Sequence, residues 1–237
     1  MKKIYMTLLL LMIAIVSFAE DEVVKNGVRY TLLGKEARAT LIDKELTDIV
    51  VDPEVSIEGQ VYPVTYVYTN SYSDVFLNTK TVSIPSNSSV GFLTSADVFP
   101  ALEEWKTSGT AVGSVSFVQD KCLYTQNYGE WSISVPAQLK GKLNISDKLT
   151  DLNLGPQQYP GVTSLHLGKS VNAIELWYLP SQLPSLQSIS VDPENTSFST
   201  DAEGVMLIQN SEVQFCCAGV SSINVPEGVT YCLLSYS

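Results

Sequence analysis

Histidine is almost absent from the 237-residue sequence, in which His166 is the only one. Any catalytic scheme with a histidine base must therefore use His166. A zinc site is not expected, because the chain also lacks a CxxC pair. The GxSxG, HExxH, P-loop and GxGxxG motifs are missing as well. We therefore expect no metal site, no cofactor and no enzymatic activity.

Positive charge is also scarce. The chain carries 14 basic and 25 acidic residues, which gives a net charge of −11 at neutral pH. A protein that binds nucleic acid needs a basic surface that releases counterions from phosphates, and no such stretch is present. We therefore expect neither a nucleic-acid partner nor attraction to an anionic membrane surface.

Long hydrophobic runs are missing except at the N terminus. Residues 4–16 are almost uninterruptedly apolar, they follow Lys2 and Lys3, and small residues precede a signal-peptidase site after Ala19. This pattern is typical of a secretory signal peptide, and the run is shorter than the roughly 20 residues of a membrane-spanning helix. No cysteine follows the site, so we expect a secreted or surface-exposed protein that is neither a lipoprotein nor inserted in a membrane after cleavage.

Cysteine is limited to four residues, Cys122, Cys216, Cys217 and Cys232. An even number in an exported chain is compatible with disulfides. Adjacent Cys216 and Cys217 cannot easily bridge each other, however, and cysteine also serves as a small buried hydrophobic residue. The sequence leaves the pairing open.

Short β-prone segments dominate what is present. Valine, leucine, threonine, serine and tyrosine are frequent, which suits strands joined by tight turns. Residues 26–69 predict a small antiparallel sheet that includes a hairpin turn at Glu58-Gly59, where glycine takes a positive φ without steric cost.

A short motif then recurs along the chain, which indicates a repeat architecture. Each copy alternates polar and apolar residues and is closed by proline or glycine, so its aliphatic side chains share one face. The five copies lie at residues 81–85, 132–136, 164–168, 188–193 and 222–226. The spacing between the third and fourth copies fits one leucine-rich repeat.

Two further patterns support the repeats. The motif P-x-[LV]-x-x-[LIW] occurs at Pro100, Pro160 and Pro184. The segments 117–127 and 198–210 each predict a β-hairpin inserted between repeat strands, which accounts for the longer gaps.

These residues resemble the BspA-like leucine-rich-repeat proteins of bacterial surfaces, a family typical of Bacteroidetes-like envelopes. The resemblance is strongest over 186–230, where the loop at 192–198, the segment Gly204-Val205-Met206 and the ending at 225–230 are similar to that family's repeat. The usual A-F-x-x-C segment is hard to find, and the chain stops at Ser237 without an evident cap. The resemblance implies a right-handed solenoid that takes part in adhesion and in protein or glycan contact.

The sequence therefore predicts a mainly β protein: an irregular leucine-rich-repeat solenoid with inserted β-hairpins, preceded by a small antiparallel β-sheet. We divide it into a signal peptide (1–19), an N-terminal β-sheet region (20–75) and the solenoid (76–237). We expect a monomer, with strand-edge pairing at the C terminus as the alternative.

The candidate binding residues are the outward middle positions of the five repeat strands. They are expected to form one ladder of hydrogen-bonding side chains across the sheet, and they are Ser83, Ser134, His166, Ser190 and Asn224. The expected partner is an extracellular protein or glycan of unknown identity. Solvated positions without a ligand are the plainer interpretation of the same residues.

Two alternative functions remain open. A glycan-binding accessory protein predicts exposed tryptophans that converge on one face, drawn from Trp105, Trp131 and Trp177. A glycosidase predicts two carboxylates facing one cleft. Its candidates are Glu103, Glu104 and the acidic cluster Asp192, Glu194, Asp201 and Glu203, which also resembles a loose Ca²⁺ loop without the usual spacing.

Overall fold

The computed structural model describes residues 22–71, 73–86, 88–91, 97–108, 115–217, 219–220 and 222–232. The predicted signal peptide and its cleavage site lie outside these residues. The structure is mainly β, as predicted, and its single described helix is α1 (Leu179–Gln182). The strands, in chain order, are β1 (Glu22–Lys25), β2 (Val28–Leu33), β3 (Glu36–Leu41), β4 (Asp48–Val50), β5 (Glu54–Ile57), β6 (Gln60–Thr69), β7 (Thr81–Pro85), β8 (Ser89–Gly91), β9 (Glu104–Ser108), β10 (Ser116–Gln119), β11 (Cys122–Asn127), β12 (Glu130–Ser134), β13 (Gly141–Asn144), β14 (Asp151–Leu152), β15 (Val162–Leu167), β16 (Ala173–Ile174), β17 (Ser188–Val191), β18 (Ser199–Thr200), β19 (Met206–Gln209), β20 (Glu212–Cys216) and β21 (Tyr231–Cys232).

The N-terminal sheet contains six strands in the order β1-β2-β3-β6-β5, with β8 also paired to β6. The predicted hairpin at Glu58-Gly59 is confirmed, because β5 and β6 pair in antiparallel fashion across it. The sheet is mixed rather than purely antiparallel, since β3-β6 and β6-β8 are parallel pairs. Strand β4 lies within the predicted sheet region 26–69 but belongs to a different sheet, in which it pairs with β7.

Two parallel three-stranded sheets carry the repeats, β4-β7-β9 and β13-β15-β17, and β14-β16 forms a further short parallel pair. A similar turn precedes strands in both parallel sheets. The amide of Leu102, Val162 or Leu186 donates to the carbonyl three residues earlier, at 3.1 Å in each case. These three residues are the apolar members of the P-x-[LV] motif, and all are buried. The motif therefore sets the turn that feeds each new strand into the solenoid.

Hairpins interrupt the repeats where the sequence predicted them. Strands β10 and β11 pair in antiparallel fashion, as do β18 and β19. Their neighbours β12 and β20 extend each hairpin into a three-stranded meander. The β10-β11 turn places Asp120 and Lys121 at positive φ, and the β19-β20 turn does the same with Asn210 and Ser211. Two successive residues at positive φ match the right-handed strand twist, which makes such turns suitable for tight hairpins.

Strand β11 joins the two main hydrophobic clusters. Leu123 packs in the N-terminal cluster with Trp105, whereas Cys122 and Tyr124 pack in the second cluster with the leucines of β13 and β15. The Trp105 amide also donates to the Lys121 carbonyl at 2.9 Å. The first meander thus takes the place of a repeat strand between β9 and β13, which keeps the core continuous across the insertion.

Two predicted repeat strands are wrong. Residues 132–136 overlap β12, which pairs in antiparallel fashion with β11 and is not a repeat strand. Residues 222–226 form no strand, and Ile223 and Val225 are exposed instead of facing the core. The next strand of that region is β21, which pairs with β20. Conversely, β9 and β13 are repeat strands that the sequence motif did not identify.

The four cysteines are unpaired in the structure, and Cys122 and Cys217 are buried. Burial raises the pKa of each of these two thiols to about 12, because the thiolate loses its hydration. Within the described ranges, no helix is both long enough and apolar enough to cross a membrane.

Candidate binding surface

The structure brings only two of the five predicted ladder residues together. His166 on β15 lies opposite Ser190 on β17, and His166 Nδ1 lies 2.9 Å from Ser190 Oγ in a hydrogen bond. Their alternate neighbours Leu165 and Ile189 are buried. The outward orientation predicted for His166 and Ser190 is therefore confirmed.

The other three residues lie elsewhere, so the single five-membered ladder is wrong. Ser83 lies on the separate β4-β7-β9 sheet between Val50 and Lys106, and it is only 8% exposed. Ser134 ends the antiparallel strand β12 opposite Leu123 and is buried. Asn224 is exposed but lies in a segment without strand structure. A local alternation of polar and apolar residues does not specify which strand becomes the partner, and this explains the error.

Six side chains form an outward surface on the second parallel sheet, and we call it the repeat face. Lys142, Ser164 and Ser188 form one row across β13, β15 and β17, and Asn144, His166 and Ser190 form the other. Adjacent strands lie about 4.8 Å apart, so each row spans roughly 10 Å. Leu143, Leu165 and Ile189 alternate with these residues and anchor the sheet to the core. The surface is therefore both polar and rigidly supported.

The electrostatics of the repeat face favour a neutral imidazole. Partial burial lowers the pKa of His166, and the ammonium of Lys142 lowers it further. The carboxylates of Asp147 and Asp192 oppose this shift. At physiological pH, the row Asn144, His166 and Ser190 therefore contains an amide, a neutral imidazole and a hydroxyl. The imidazole and the hydroxyl are hydrogen-bonded to each other, and the amide oxygen of Asn144 is buried without a hydrogen-bond partner.

The first meander is tied to the edge of the repeat face. Asn144 Nδ2 donates to Asp120 Oδ2 at 2.6 Å, and the hydroxyl of Tyr124 donates to the Asn144 carbonyl at 2.9 Å. Sequence reasoning missed Lys142 and Asn144 because β13 was not recognised. The alternation Lys142-Leu143-Asn144 follows a turn at Leu139, and this was the available signal.

The tryptophans do not build one platform. Trp105 is 2% exposed, and Trp131 packs edge-on against Phe117 with 5.2 Å between ring centroids. Only Trp177 is open to solvent, at 89% exposure, beside the exposed Tyr178. The convergence of three tryptophans expected for an aromatic lectin is therefore absent, and a single exposed pair remains.

The candidate carboxylates contact different partners and do not face one cleft together. Asp201 Oδ1 accepts from the amides of Val205 and Met206, while Glu194 pairs with Lys169 at 3.3 Å. Glu103 and Glu104 each pair with a different lysine, Lys80 and Lys106. Among the residues that the structure describes, no group of three or more acidic, histidine or cysteine side chains is arranged to hold a metal ion.

A second polar surface lies near the C-terminal end of the described chain. It is a groove of about 480 Å³ between residues 195–200, which end in β18, the β19-β20 turn and the loop at 226–229. Hydroxyl and amide side chains such as Thr196, Ser199 and Asn210 line it, together with Glu227. The groove is separate from the repeat face.

The strand register defines the class of protein as a mainly β solenoid with inserted hairpins. No protein-family model matches the chain, and neither does any curated protein. Three solved structures show a likeness. The pneumococcal vaccine antigen PcpA is 11% identical, with 90% of this chain and 60% of that chain covered and a TM-score of 0.43. A leucine-rich-repeat protein from Eubacterium ventriosum is 13% identical, with 88% and 54% covered and a TM-score of 0.42.

The third structure, a leucine-rich cell surface protein from Faecalibacterium prausnitzii, is 12% identical, with 90% and 84% covered and a TM-score of 0.29. This chain therefore spans less than two thirds of the first two structures. Likeness at this level assigns no family, and the BspA-like resemblance stays a prediction.

Proposed function

We propose that this protein is an exported, non-catalytic binding module that contacts an extracellular protein or glycan through the repeat face. The observation that carries the proposal is the row Asn144, His166 and Ser190, held in register on three parallel strands. Side chains mounted on strands keep their relative positions better than side chains on loops, which favours recognition of a polar ligand. An adhesive role of the BspA-like type fits such a face.

Export to the cell surface or beyond is part of the same proposal. Its support is the signal-peptide pattern at residues 1–19 and the strongly acidic composition of the rest of the chain. A polar, acidic exterior remains soluble outside the cell without attraction to anionic lipids.

A hydrolase is the first competing function, because the structure places a serine hydroxyl 2.9 Å from a histidine nitrogen. A serine nucleophile also needs its base oriented by a third group. Among the described residues, no hydrogen bond to Nε2 of His166 supplies that orientation. The pair also lies on an open strand face. We therefore assign it to recognition, and we expect a fluorophosphonate probe to leave Ser190 unlabelled.

Glycan stacking on Trp177 and Tyr178 is the second competing function, because both rings are exposed beside each other in sequence. Aromatic faces stack on sugar rings through their apolar surface. This pair is separate from the six repeat-face residues, so single variants distinguish the two surfaces.

The test is a binding screen of purified residues 20–237 against arrays of extracellular matrix proteins and glycans. The variants are Ser190→Arg on the repeat face, Trp177→Ala on the aromatic pair and Val61→Arg as the control. The control adds the same charge at a position that is 62% exposed on the N-terminal sheet. All variants are first compared by circular dichroism melting to confirm folding.

The proposal predicts a partner whose affinity falls about tenfold or more in Ser190→Arg and stays unchanged in the other two. Loss confined to Trp177→Ala would instead favour the aromatic glycan-binding function. Binding that survives both substitutions would place the ligand elsewhere and contradict the proposal.

A further inference from the structure

The only two arginines in the sequence, Arg29 and Arg38, lie on the same outward face of the N-terminal sheet. They occupy the neighbouring strands β2 and β3 in diagonal positions. Arg29 lies opposite Thr40, and Arg38 lies opposite Thr31. Because the register is antiparallel and the side-chain period is two, both guanidinium groups project from one side with two threonines between them. The sequence gives no sign of this pairing, which depends on the register.

A cavity of about 230 Å³ lies over these residues. Six of its eight lining residues carry polar side chains, which are the two arginines, the two threonines, Tyr68 and Glu22. Tyr68 lies opposite Thr40 on β6 and therefore closes the same row. The cavity is accordingly a polar pocket with a concentrated positive charge, although the protein as a whole is strongly acidic.

The arginine charges are incompletely satisfied. The Nε atoms of Arg29 and Arg38 are both buried and have no hydrogen-bond partner in the structure. Arg29 has only a loose ion pair, with Nε lying 3.6 Å from Glu22 Oε2. The guanidinium of Arg38 lies 5.6 Å and 5.3 Å from the ring centroids of Tyr66 and Tyr68. No carboxylate in the described part of the chain lies within ion-pair distance of Arg38.

The tyrosine rings hold Arg38 in place without neutralising it. A cation over an aromatic face is attracted by the ring quadrupole but keeps its N–H donors available. Two partly dehydrated guanidinium groups without a full set of acceptors are costly unless an anion completes them. Oxygen acceptors from a ligand would therefore stabilise the guanidinium groups of Arg29 and Arg38.

We infer that this pocket is a second binding site, independent of the repeat face, which takes the carboxylate or sulfate group of an acidic saccharide. The oxyanion bridges Arg29 and Arg38 and displaces Glu22 from its loose pair. The hydroxyl groups of Thr31 and Tyr68 are the polar groups that face the sugar ring's own hydroxyls, whereas Thr40 is buried.

The charge of the whole protein argues for a ligand with a single anionic group. A net charge of −11 repels polyanions such as nucleic acid. A compact pocket with two arginines attracts one oxyanion over the short range that the Debye length allows. A peptide C-terminus carries the same carboxylate, but only two of the eight lining residues, Leu32 and Leu33, are apolar, which leaves little apolar surface for its side chain.

The experiment measures binding of methyl β-D-glucuronide and of neutral methyl β-D-glucoside by isothermal titration calorimetry. The two probes share the sugar ring and differ at the carboxylate. The sulfate ester of the glucoside serves as a third probe and distinguishes a sulfate source from a carboxylate source. A blocked alanine dipeptide with a free C-terminus represents the peptide class.

We expect the carboxylated or sulfated sugar to bind about tenfold or more tightly than the glucoside. Arg29→Gln and Arg38→Gln should each abolish that preference, while Lys35→Gln, which removes an exposed charge in the β2-β3 turn, should keep it. Glu22→Gln should tighten binding because it removes the competing carboxylate. This gain of affinity cannot result from misfolding. Arg38→Lys keeps the charge but loses the planar guanidinium group, so its preference for the charged sugar should be weaker than that of the wild type without being abolished.

Equal or absent binding of the charged and neutral sugars would overturn the site. Retention of the preference in both arginine-to-glutamine variants would overturn the assignment of its residues. Tighter binding of the dipeptide than of either charged sugar would overturn the saccharide class.

Discussion

Asn195 links successive repeats and provides a sharp test of the solenoid geometry. Its Nδ2 donates to the carbonyls of Gly168 and Val171 at 2.8 Å and 2.9 Å. Its Oδ1 accepts from the amides of Ser197 and Phe198, both at 2.8 Å. One partly buried side chain therefore satisfies two carbonyls of the preceding repeat and two amides of its own loop.

The expected cost of Asn195→Ala follows from these four bonds. Each is worth about 1 kcal/mol net, and removing the side chain leaves backbone groups without a partner. Because the site is only partly buried and water reaches some of these groups, we expect a loss of about 2–4 kcal/mol in the free energy of unfolding. Asn195→Asp keeps the acceptor but turns an oxygen toward two carbonyls, so its loss at neutral pH should be at least as large.

Protonation should partly reverse the Asn195→Asp defect. The facing carbonyls favour the neutral carboxyl group, so its pKa is expected to lie above the ordinary value in the folded state. Stability relative to the wild type should therefore recover as the pH falls and be lost again as it rises. The assay is urea unfolding followed by tryptophan fluorescence at two pH values. Asn153→Ala serves as the control, because exposed Asn153 makes a single local bond to the Gly155 amide. A loss below about 0.5 kcal/mol for Asn195→Ala, or one no larger than the control, would show that the four bonds of Asn195 do not stabilise the repeats.

Three further predictions test the contact between the first meander and the repeat face, the environment of His166 and the reactivity of the thiols. Tyr124→Phe removes a hydroxyl that donates to the Asn144 carbonyl and accepts from the Ser146 amide. We expect a loss of about 1–3 kcal/mol in the free energy of unfolding in urea, and no measurable loss would show that these bonds do not stabilise the contact between the first meander and the repeat face. Because burial lowers the pKa of His166, its imidazole should titrate below 6.5 in a proton NMR experiment. The folded protein should lose stability as the pH falls, since the histidine of the unfolded chain takes up the proton first. A pKa above 6.5 would contradict the partly buried environment described for His166. Iodoacetamide at pH 8 should label exposed Cys232 faster than Cys122 and Cys217, because those two thiols are buried and have a raised pKa. The labelling rates are measured by mass spectrometry, and equal rates at all three cysteines would contradict the described burial of Cys122 and Cys217.

The sequence predicted those parts of the fold that depend on local pattern. The strands at 81–85 and 164–168 are confirmed, as is the strand pattern near residue 188, because alternation places Val82, Leu165 and Ile189 in the core. The inserted hairpins were also predictable, since their turns and flanking β-prone residues are neighbours along the chain.

Features that depend on the choice of strand partner could not be predicted. Residues 132–136 alternate like a repeat strand, yet β12 pairs with β11 because the tight turn at Tyr128-Gly129 brings it back at once. The alternation in β13 is shorter, and only its parallel register with β15 places Asn144 beside His166. The pairing of Arg29 with Arg38 has the same origin, because diagonal neighbours on two strands follow from register and not from spacing in the sequence.

His166 reports directly on the proposed binding of a ligand to the repeat face, because it is the only histidine in the sequence. The measurement is the proton NMR signal of its imidazole, recorded while the partner found in the binding screen is titrated into the wild-type protein. The proposal predicts that this signal shifts or broadens in step with binding, and that Ser190→Arg suppresses both the binding and the change. A partner that binds fully while the His166 signal stays unchanged would show that the ligand does not bind at the repeat face.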